Sequence, residues 1–383
     1  MSNVHLDTLH NIDKRFSLAE SDAKLQVIPE THGSRRIGVA IVGIGRMGAI
    51  HLYNVLREPR ADVLYVLDSD NQRLDHMDKK YYLKERGVNV VHTDQWQKVL
   101  DDKRVEAVLI STPTFTHEQY AKSALQHDKH VLCEKPLAKS IEAINSLTQL
   151  AASKRLALIC AFNRRYDPSF RAVSNQVKRG DVGQVRLVRT CSRDSPLPPM
   201  EYIKISGGLF HDCVVHDLDV VLWMTRELPC EVHTFAHTYD EKYAALNDFD
   251  TALVSMKFPS GCMAVIDVSR HCATGYEQRV EVFGPKGHAK IDEFAHANWE
   301  KHTENGMIRP TNDYSFVSRF GEAYANEILE LFNHIEGNKT LEPLRYDYTP
   351  VLCKVVNAVE QSARTGSQSV KLEWTENEKK AVQ

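Results

Sequence analysis

The stretch Gly43-Ile44-Gly45-Arg46-Met47-Gly48 decides the fold of this chain. It directly follows the apolar run Ile37–Val42 and precedes a helical pattern of apolar residues that begins at Ala49. In a strand-turn-helix unit the first glycine permits a tight turn, the second lets a pyrophosphate approach the backbone, and the third lets the helix pack on the strand. The N–H groups at the helix N terminus suit a phosphate. The stretch therefore predicts a dinucleotide-binding turn.

An acidic residue stands where such a turn needs one. Asp68 lies 20 residues after Gly48, at the end of the second apolar run. A carboxylate there accepts both hydroxyl hydrogens of the adenosine ribose and repels a 2′-phosphate, which favours NAD over NADP. Arg46 and Arg73 lie close enough in sequence to leave some tolerance of NADP. The alternative is a turn that serves packing only, with Asp68 a solvated strand end.

The apolar runs in the rest of the chain follow two different patterns. Short β-branched runs alternate with helix-length segments up to residue 162; they occupy residues 37–42, 63–67, 88–91, 105–111, 130–133 and 156–162. Such runs indicate parallel strands buried on both faces. After residue 163 the β runs come in pairs joined by turn residues, which indicates hairpins.

We therefore predict an α/β chain with two domains. An N-terminal Rossmann domain, a doubly wound parallel sheet, spans residues 36–162 and follows a polar extension over residues 1–35. A C-terminal α+β domain with an open, mainly antiparallel sheet and C-terminal helices spans residues 163–383. The dinucleotide turn belongs to the first of these domains.

Composition excludes several function classes. The 383 residues include 48 Lys and Arg against 51 Asp and Glu, so no excess of positive charge is available to bind nucleic acid. The longest apolar stretches are far shorter than the roughly 20 residues that cross a bilayer. The first 35 residues carry acids and no apolar signal region, and the eight cysteines form no C-x-x-C pair. We expect a cytoplasmic protein with reduced thiols and neither a membrane nor a nucleic acid as partner.

Two loops close consecutive strands at the edge where this fold binds ligands. The first loop is Ser111-Thr112-Pro113, and the second contains Glu134, Lys135 and Pro136. Pro136 restricts Lys135 to an extended backbone or permits a cis bond, and either would hold the lysine in a fixed place. Taken alone, a Lys-Pro after a strand is more often a solvated loop.

The segment 207–219 reads as a loop that runs into a helix. Asp212 and His216 are four residues apart, so on a helix they share a face and can hydrogen-bond, which would make the imidazole a better base. Dehydrogenation of a secondary alcohol needs such a base. Two other interpretations remain open, a helix-surface ion pair and a metal site formed by His211, Asp212 and His216. The dinucleotide turn favours the base.

Polar groups follow several of the predicted strands. They lie in the segments 163–167, 192–194 and 275–279. Carboxylates, guanidinium groups and amides suit a substrate with several hydroxyls, because each hydroxyl needs a donor and an acceptor. Each group taken singly is more often part of a surface salt bridge.

Together these motifs resemble the glucose-fructose oxidoreductase, inositol dehydrogenase and MocA (Gfo/Idh/MocA) family over residues 36–372. The resemblance rests on the glycine turn, Thr112-Pro113 with His117, the segment 130–136, Arg165-Tyr166-Asp167, and paired glycines followed by Asp212 and His216-Asp217. Within the family, Ser192-Arg193-Asp194, the Asp212/His216 pair and Gly275-Tyr276 look most like inositol 2-dehydrogenases. Those enzymes oxidise myo-inositol to its 2-ketone with NAD.

The resemblance implies roles for particular residues. Lys135, Asp212 and His216 would form a catalytic triad, with Glu134 and Lys135 beside the nicotinamide. Cofactor contacts are expected from Gly43, Gly45, Arg46, Met47, Gly48, Asp68, Ser111, Thr112, Pro113, His117, Glu134 and Lys135. Substrate contacts are expected from Asn163, Arg165, Asp194 and Tyr276. No metal is expected, and a homo-oligomer, a dimer or tetramer, would form on the open face of the second domain's sheet.

Some positions depart from the family pattern. Asp128 stands where glycine usually precedes Lys-His, Thr274 where an aromatic residue often stands, and Glu277 where aspartate is usual. Thr274 and Glu277 are expected to line the substrate side.

We therefore predict NAD-dependent oxidation of a secondary alcohol of a cyclic polyol. His216, oriented by Asp212, would take the hydroxyl proton, and Lys135 would stabilise the alkoxide. Two alternatives are the same chemistry on a sugar or another polyol, and an NAD-binding regulator without turnover, which has no need of a proton acceptor.

Overall fold

A six-stranded parallel sheet forms the first half of the molecule. The computed structural model describes residues 35–292 and 299–383. The strands are β1 (Ile37–Val42), β2 (Ala61–Asp68), β3 (Asn89–His92), β4 (Val105–Ile110), β5 (His130–Cys133) and β6 (Leu158–Cys160). They pair in parallel in the order β3-β2-β1-β4-β5-β6. The chain reverses direction across the sheet between β1 and β4, and ligands of such sheets bind at the carboxyl ends of the strands at this point.

Helices cover both faces of this sheet. They are α1 (Arg46–Val55), α2 (Asn71–Tyr81), α3 (Trp96–Asp101), α4 (Thr114–Gln126) and α5 (Ile141–Lys154). All six residues of β1 are buried, and two apolar cores lie on opposite sides of the sheet. This explains why the strands read as continuous apolar runs. Side-chain caps fix two helix starts: Asp70 accepts N–H groups at the start of α2, and Ser140 does so for α5.

A mixed seven-stranded sheet forms the second half. A short helical turn, Asn163–Tyr166, leads into α6 (Pro168–Lys178). The strands are β7 (Leu187–Arg193), β8 (Glu231–His237), β9 (Thr251–Lys257), β10 (Met263–Ser269), β11 (Glu277–Gly284), β12 (Gly287–Ile291) and, after a small hairpin of β13 (Lys301–Thr303) and β14 (Gly306–Ile308), β15 (Val370–Lys371). Their order is β12-β11-β7-β10-β9-β8-β15, and only β7 and β10 pair in parallel.

One face of the second sheet is covered and the other is open. The helices of this half are α7 (Met200–Ser206), α8 (Val215–Thr225), α9 (Glu241–Ala244), α10 (Phe316–Arg319), α11 (Gly321–Glu336), α12 (Tyr348–Arg364) and α13 (Glu376–Lys380). Burial alternates along β9 and β10, with inward residues in the core and outward residues exposed or half-buried. This alternation is that of an antiparallel sheet with a single covered face.

The predicted fold class is confirmed. Each predicted strand of the first domain matches an observed strand within a few residues, and the hairpins β9–β10 and β11–β12 form where the turn residues predict them. The predicted boundary at residue 162/163 falls between β6 and the turn Asn163–Tyr166. The predicted extension lies outside the described residues apart from Arg35. Among the helices that the structure describes, none is both long and apolar enough to cross a membrane.

Candidate active site

The glycine turn after β1 leaves the N terminus of α1 open. Gly43 has a φ of +82°, and a Cβ on Gly48 would lie 1.8 Å from the carbonyl oxygen of Gly43, so both positions require glycine. A Cβ on Gly45, by contrast, would meet no atom within 4 Å. This open space in front of a helix N terminus fits a pyrophosphate. The residues present thus fit the dinucleotide that the sequence predicts.

Asp68 closes β2 beside this turn. Its Oδ2 accepts the backbone N–H of Ile44 at 2.7 Å, and Nη1 of Arg73 donates to Oδ1 and Oδ2 at 3.0 and 3.1 Å. Oδ1 also accepts the backbone N–H of Asp70 at 2.9 Å, so each oxygen already has two donors and a ribose hydroxyl would have to take the place of Arg73. Because Arg73 offsets the carboxylate charge, this acid repels a 2′-phosphate less than an unpaired one would.

His117 holds the two cofactor-side loops together. Its buried ring places Nε2 at 2.8 Å from the carbonyl oxygen of Thr112 and Nδ1 at 2.8 Å from that of Pro136. The histidine thereby links the loop after β4 to the loop after β5. Oε1 of Glu134, a predicted cofactor residue, lies 2.8 Å from Nε2 of the buried His51 on α1. Both histidines support the loops from within the fold.

Lys135 reaches across to the second domain. The Lys135–Pro136 bond is cis. Nζ of Lys135 donates to the backbone oxygen of Asp212 at 2.6 Å and to its Oδ1 at 2.9 Å, and only 15% of the lysine side chain is exposed. Burial opposes its charge, but the Asp212 carboxylate outweighs this and raises the pKa of Lys135 above its usual value. An amine from the first half and a carboxylate from the second therefore meet.

Three donors hold Asp212. Besides Lys135, the Tyr202 hydroxyl donates to Oδ1 at 2.7 Å and Nη1 of Arg270 donates to Oδ2 at 3.0 Å. Burial would raise the pKa of this carboxyl, but Lys135 and Arg270, with the Tyr202 hydrogen bond, lower it well below its usual range. Asp212 is therefore ionised and fully engaged.

The predicted hydrogen bond between Asp212 and His216 is wrong. Asp212 lies in a π-helical turn, Phe210–Val214, that precedes α8, and a π-turn widens the helix so that residues four apart no longer stack as on an α-helix. In the described part of the chain no hydrogen bond joins the two side chains, and Nδ1 of His216 is buried without a partner. The Asp212 carboxylate instead accepts hydrogen bonds from Lys135 and Arg270.

His216 is half-buried in an electropositive environment. Burial comes first among the causes that lower its pKa well below the usual value, followed by the charges of Lys135 and Arg164, while Asp212 opposes them. Its ring meets that of Phe162 edge-on, with centroids 6.5 Å apart. The imidazole is consequently neutral at physiological pH, the state that a general base requires.

Two of the predicted substrate residues lie near these groups. Oδ2 of Asp194 accepts the Cys213 thiol at 3.4 Å, and burial together with the charge of Asp212 raises the pKa of Asp194. Tyr276 packs its ring on Phe320, and burial together with the charge of Asp194 raises its pKa. Asp194 is thus a neighbour of Asp212, and Tyr276 is a neighbour of Asp194. The third residue, Asn163, is buried at the start of the turn that follows β6.

Arg165, the fourth predicted substrate residue, belongs to a separate cluster. Its Nε and Nη2 donate to the carboxylate of Asp219 at 2.8 to 3.0 Å, and its guanidinium lies 4.3 Å from the centre of the Tyr348 ring. This is a buried ion pair between the 163–166 turn and α8. This geometry does not support the expected substrate contact of Arg165, because its Nε and Nη2 face Asp219 rather than the groups around Asp212.

Its neighbour Arg164 takes the position near the site. Nη1 of Arg164 lies 2.9 Å from Oδ1 of Asp217, and Nη2 donates to the Ser192 hydroxyl at 3.2 Å. Its charge acts on both His216 and Tyr276. The sequence placed Arg164 within the polar segment 163–167. It did not indicate that Arg164, rather than Arg165, would lie near the site.

Sequence reasoning also missed Tyr202 and Arg270. Tyr202 lies on the short helix α7, and no motif marks it. Arg270 follows β10 directly and is fully buried. The one indication of it in the sequence was a cation at the end of a strand in which inward and outward residues otherwise alternate. Arg46, predicted on the cofactor side, places its guanidinium 5.4 Å from the Tyr202 ring centre and 4.5 Å from that of Phe316.

The alternative metal site is not assembled. Nε2 of His211 lies 3.1 Å from Oε2 of Glu360 on α12, whereas Asp212 faces Lys135. Within residues 35–292 and 299–383, no group of three or more His, Cys, Asp or Glu side chains is placed to hold a metal ion.

Glu277 does not line the substrate side as predicted. It accepts from Arg279 and from the Cys191 thiol, on the outward face of β11 and β7. The alternation along β11 places residue 277 opposite its neighbour Gln278, whose Oε1 lies 3.0 Å from the Ser192 hydroxyl. The departure at Glu277 therefore falls on the open face. Thr274 is exposed in the preceding loop.

Two family models match the chain. The model of an oxidoreductase family with an NAD-binding Rossmann fold matches residues 37–162, and the C-terminal domain model of the same family matches residues 170–290. The predicted NAD cofactor, oxidoreductase class and family resemblance are thereby confirmed.

Similar proteins include several inositol dehydrogenases. A myo-inositol 2-dehydrogenase of Thermotoga maritima is 32% identical over 305 residues, 79% of this chain and 89% of that protein. An inositol 2-dehydrogenase of Rhizobium meliloti is 32% identical over 324 residues, 84% of this chain and 96% of that protein. The structure of a Lactobacillus casei scyllo-inositol dehydrogenase with NAD(H) and scyllo-inositol, 28% identical, matches with a TM-score of 0.79 over 88% of this chain and 99% of that chain.

The fold, the glycine turn and the two matched domains agree. The chain belongs to the Gfo/Idh/MocA family of NAD-binding oxidoreductases.

Proposed function

We propose that this protein is a cyclic polyol dehydrogenase that oxidises a secondary ring alcohol, with myo-inositol to scyllo-inosose as its reaction. The observation that carries the proposal is the bonding of Lys135, from the end of β5, to Asp212, four residues before His216. It brings a fixed cation and a neutral imidazole to the carboxyl edge of the sheet, where the fold binds its dinucleotide. The inositol dehydrogenases among the similar proteins support the substrate.

His216 is the proton acceptor in this proposal. Its pKa is lowered by burial and by two cations, so the ring is neutral and able to accept the hydroxyl proton. Bound NAD supplies the acceptor for the hydride that leaves the ring carbon.

Lys135 stabilises the alkoxide that develops on the substrate oxygen. A fixed ammonium acts strongly where water is excluded, and the lysine side chain is largely buried. Asp212 positions this lysine, because its backbone oxygen and its Oδ1 both accept a hydrogen bond from Nζ. The role first predicted for Asp212, the orientation of His216, is replaced by the positioning of Lys135.

The polar groups around Asp212 and Arg164 suit a polyol. Asp194 supplies a carboxylate, Tyr276 a phenol, Asn163 an amide and Arg164 a guanidinium, so both donors and acceptors are present. A ring with several hydroxyls can satisfy them together, whereas an apolar alcohol would leave buried polar groups without partners.

A substrate panel tests this function. Inositol isomers and aldoses are each supplied with NAD and with NADP, and NADH or NADPH formation is read as absorbance. We expect the highest kcat/KM with myo-inositol and NAD. A preference for an aldose would move the substrate to a sugar, and the absence of turnover with every compound, despite NADH binding, would favour the regulator.

We also propose that two or four copies assemble through the outer face of the second sheet. Large apolar side chains stand exposed on four of its strands: Phe235, Leu253, Met263 and Phe283. They form two rows: Phe235 pairs directly with Leu253 across β8 and β9, and Leu187 of β7 is the register partner of both Met263 and Phe283. Light scattering should give a multiple of 43.6 kDa for the protein, and Leu253→Glu should reduce it. A monomeric wild-type protein would contradict the assembly.

A cytosolic location goes with this function. All eight cysteines are free, which suits a reducing compartment. Cell fractionation with a tagged full-length chain should recover the protein with cytosolic markers, and recovery in a membrane or secreted fraction would contradict it.

A further inference from the structure

Arg270 stands behind the catalytic groups without touching the substrate side. It follows β10 directly, and its backbone N–H donates to the carbonyl oxygen of Asp250 at 2.8 Å. The side chain is 0% exposed, which makes it one of the largest fully buried side chains among the described residues. A buried guanidinium without a carboxylate partner is strongly unfavourable, so its partners show what it is for.

Two carboxylates flank the guanidinium. Nη1 donates to Oδ2 of Asp212 at 3.0 Å, and Nη2 lies 3.7 Å from Oδ2 of Asp248. Asp248 in turn accepts the backbone N–H of Leu209 at 2.9 Å with its Oδ1. Arg270 therefore bonds to the middle residue of the π-turn, Asp212, and lies within ion-pair distance of the carboxylate that anchors Leu209, the residue before the turn.

The two oxygens of Asp212 divide their partners. Oδ1 accepts from Lys135 and Tyr202, and Oδ2 accepts from Arg270. The hydrogen bond from Arg270 to Oδ2 fixes the rotation of the carboxylate. In that orientation Oδ1 faces Lys135. Without the Arg270 hydrogen bond, the donors to Oδ1 alone would hold the Asp212 carboxylate, and its free Oδ2 could rotate toward His216, four residues further along the chain.

We propose that Arg270 is a positioning residue for the oxidation: it holds Asp212 on Lys135 and away from His216. The lysine then remains in one place and the imidazole remains neutral. Arg270 acts through Asp212 and contacts neither substrate nor cofactor. The kinetic part of this inference rests on the proposed function; the arrangement of Asp212 does not.

Other charged or titratable groups face this pair. Around Asp212 and Arg270 they are Lys135, Asp194, Tyr202, Cys213, His216, Tyr243 and Asp248. Arg270 is not among the charges that act on His216 directly, whereas Asp212 raises the pKa of the histidine. Releasing Asp212 toward His216 therefore raises the pKa of the imidazole further. Removing Arg270 also takes away a cation that lowers the pKa of Asp212. Both changes move the acid limb of the activity profile to higher pH.

The variants are Arg270→Met, which removes the charge, and Arg270→Lys, which keeps it and tests whether the protein folds with a buried cation there. We expect Arg270→Met to lower kcat about tenfold or more and to move the acid limb of kcat/KM upward by about one pH unit, with NADH affinity by fluorescence unchanged. Arg270→Lys should keep the wild-type limb. Arg60→Met is the matched control: Arg60 is also buried and paired, with Glu58 and Glu336 in the first domain. It should lower only the melting temperature.

A second readout needs no turnover. With ¹³C-labelled histidine, the His216 resonance, identified by its loss in His216→Asn, is titrated in wild type and in Arg270→Met. A higher pKa of His216 in Arg270→Met supports the proposal. An unchanged histidine titration together with an unchanged pH profile would overturn it and leave Arg270 a packing residue. A raised pKa in a protein that oxidises no polyol would keep the positioning role and reject the proposed function.

Discussion

The two catalytic halves of the site differ in how they are held. Lys135 is firmly held: it uses two of its three N–H donors on the Asp212 backbone and carboxylate, and that carboxylate is itself held by Tyr202 and Arg270. His216 has a buried Nδ1 without any hydrogen-bond partner among the described residues. One half is a locked ion-pair network, and the other is a single ring among apolar and cationic neighbours.

The difference separates two tasks. A charge that stabilises an alkoxide must not move, so it benefits from many partners. A base must give up its proton again, and partners that stabilised the imidazolium would hinder that step. In the proposed mechanism the lysine half therefore supplies fixed charge, and the histidine half supplies a proton site of low pKa.

The largest expected effect comes from removing either half. Lys135→Met and His216→Asn should each lower kcat by about 10²- to 10⁴-fold, because one loses the fixed charge and the other the base. NADH binding by fluorescence should stay nearly intact in both. Lys139→Met, at an exposed lysine of the same loop, should behave as wild type. Near-wild-type kcat in either of the first two variants would remove that residue from the mechanism.

A smaller effect is expected within the lysine half. Tyr202→Phe deletes the hydroxyl that donates to Asp212 at 2.7 Å, while Lys135 and Arg270 remain. One hydrogen bond to a charged group corresponds to roughly a tenfold loss in kcat. The acid limb of the pH profile should not move, because it belongs to His216. Steady-state kinetics over pH measure both, and a shifted limb would show that the Tyr202 hydroxyl, like Arg270, is needed to keep Asp212 away from His216.

The pH profile of the unmodified enzyme tests the histidine half. Burial and the charges of Lys135 and Arg164 lower the pKa of His216 below the usual 6.5. Neutral imidazole is the accepting form, so a lower pKa keeps the base active at lower pH. We expect the acid limb of kcat/KM for oxidation to lie below pH 6.5. A limb above pH 7 would contradict a neutral, cation-flanked base.

The smallest effect distinguishes two adjacent arginines. Arg164→Gln removes one of the charges that lower the pKa of His216, so the acid limb should rise by a few tenths of a pH unit. Arg165→Gln breaks the buried pair with Asp219 and should lower the melting temperature without moving the limb. Equal shifts in both variants would show that the limb reports stability rather than His216.

The sequence predicted the cofactor side more completely than the substrate side, for a physical reason. The glycine turn, Asp68 and Lys135 follow from local rules: a strand, a turn and a helix fix where the backbone N–H groups and the strand-end side chains lie. These depend on residues close together in the chain.

The substrate side depends on contacts between distant segments. Spacing alone gave Asp212 and His216 a common helix face, but a π-turn and the pull of Arg270, 58 residues away, turned the carboxylate elsewhere. Arg164 and Arg165 are alike in sequence, and only the positions of Asp217 and Asp219 on α8 decide which one lies near the site. Such choices are made by tertiary packing, which periodicity does not encode.

A crystal structure with NADH and myo-inositol tests the central claim most directly. The account predicts one substrate hydroxyl oxygen within hydrogen-bond reach, about 2.6 to 3.2 Å, of both the Lys135 ammonium and a His216 ring nitrogen. Binding in which these two side chains contact different hydroxyls, or in which the polyol occupies a cavity that excludes either of them, would contradict it.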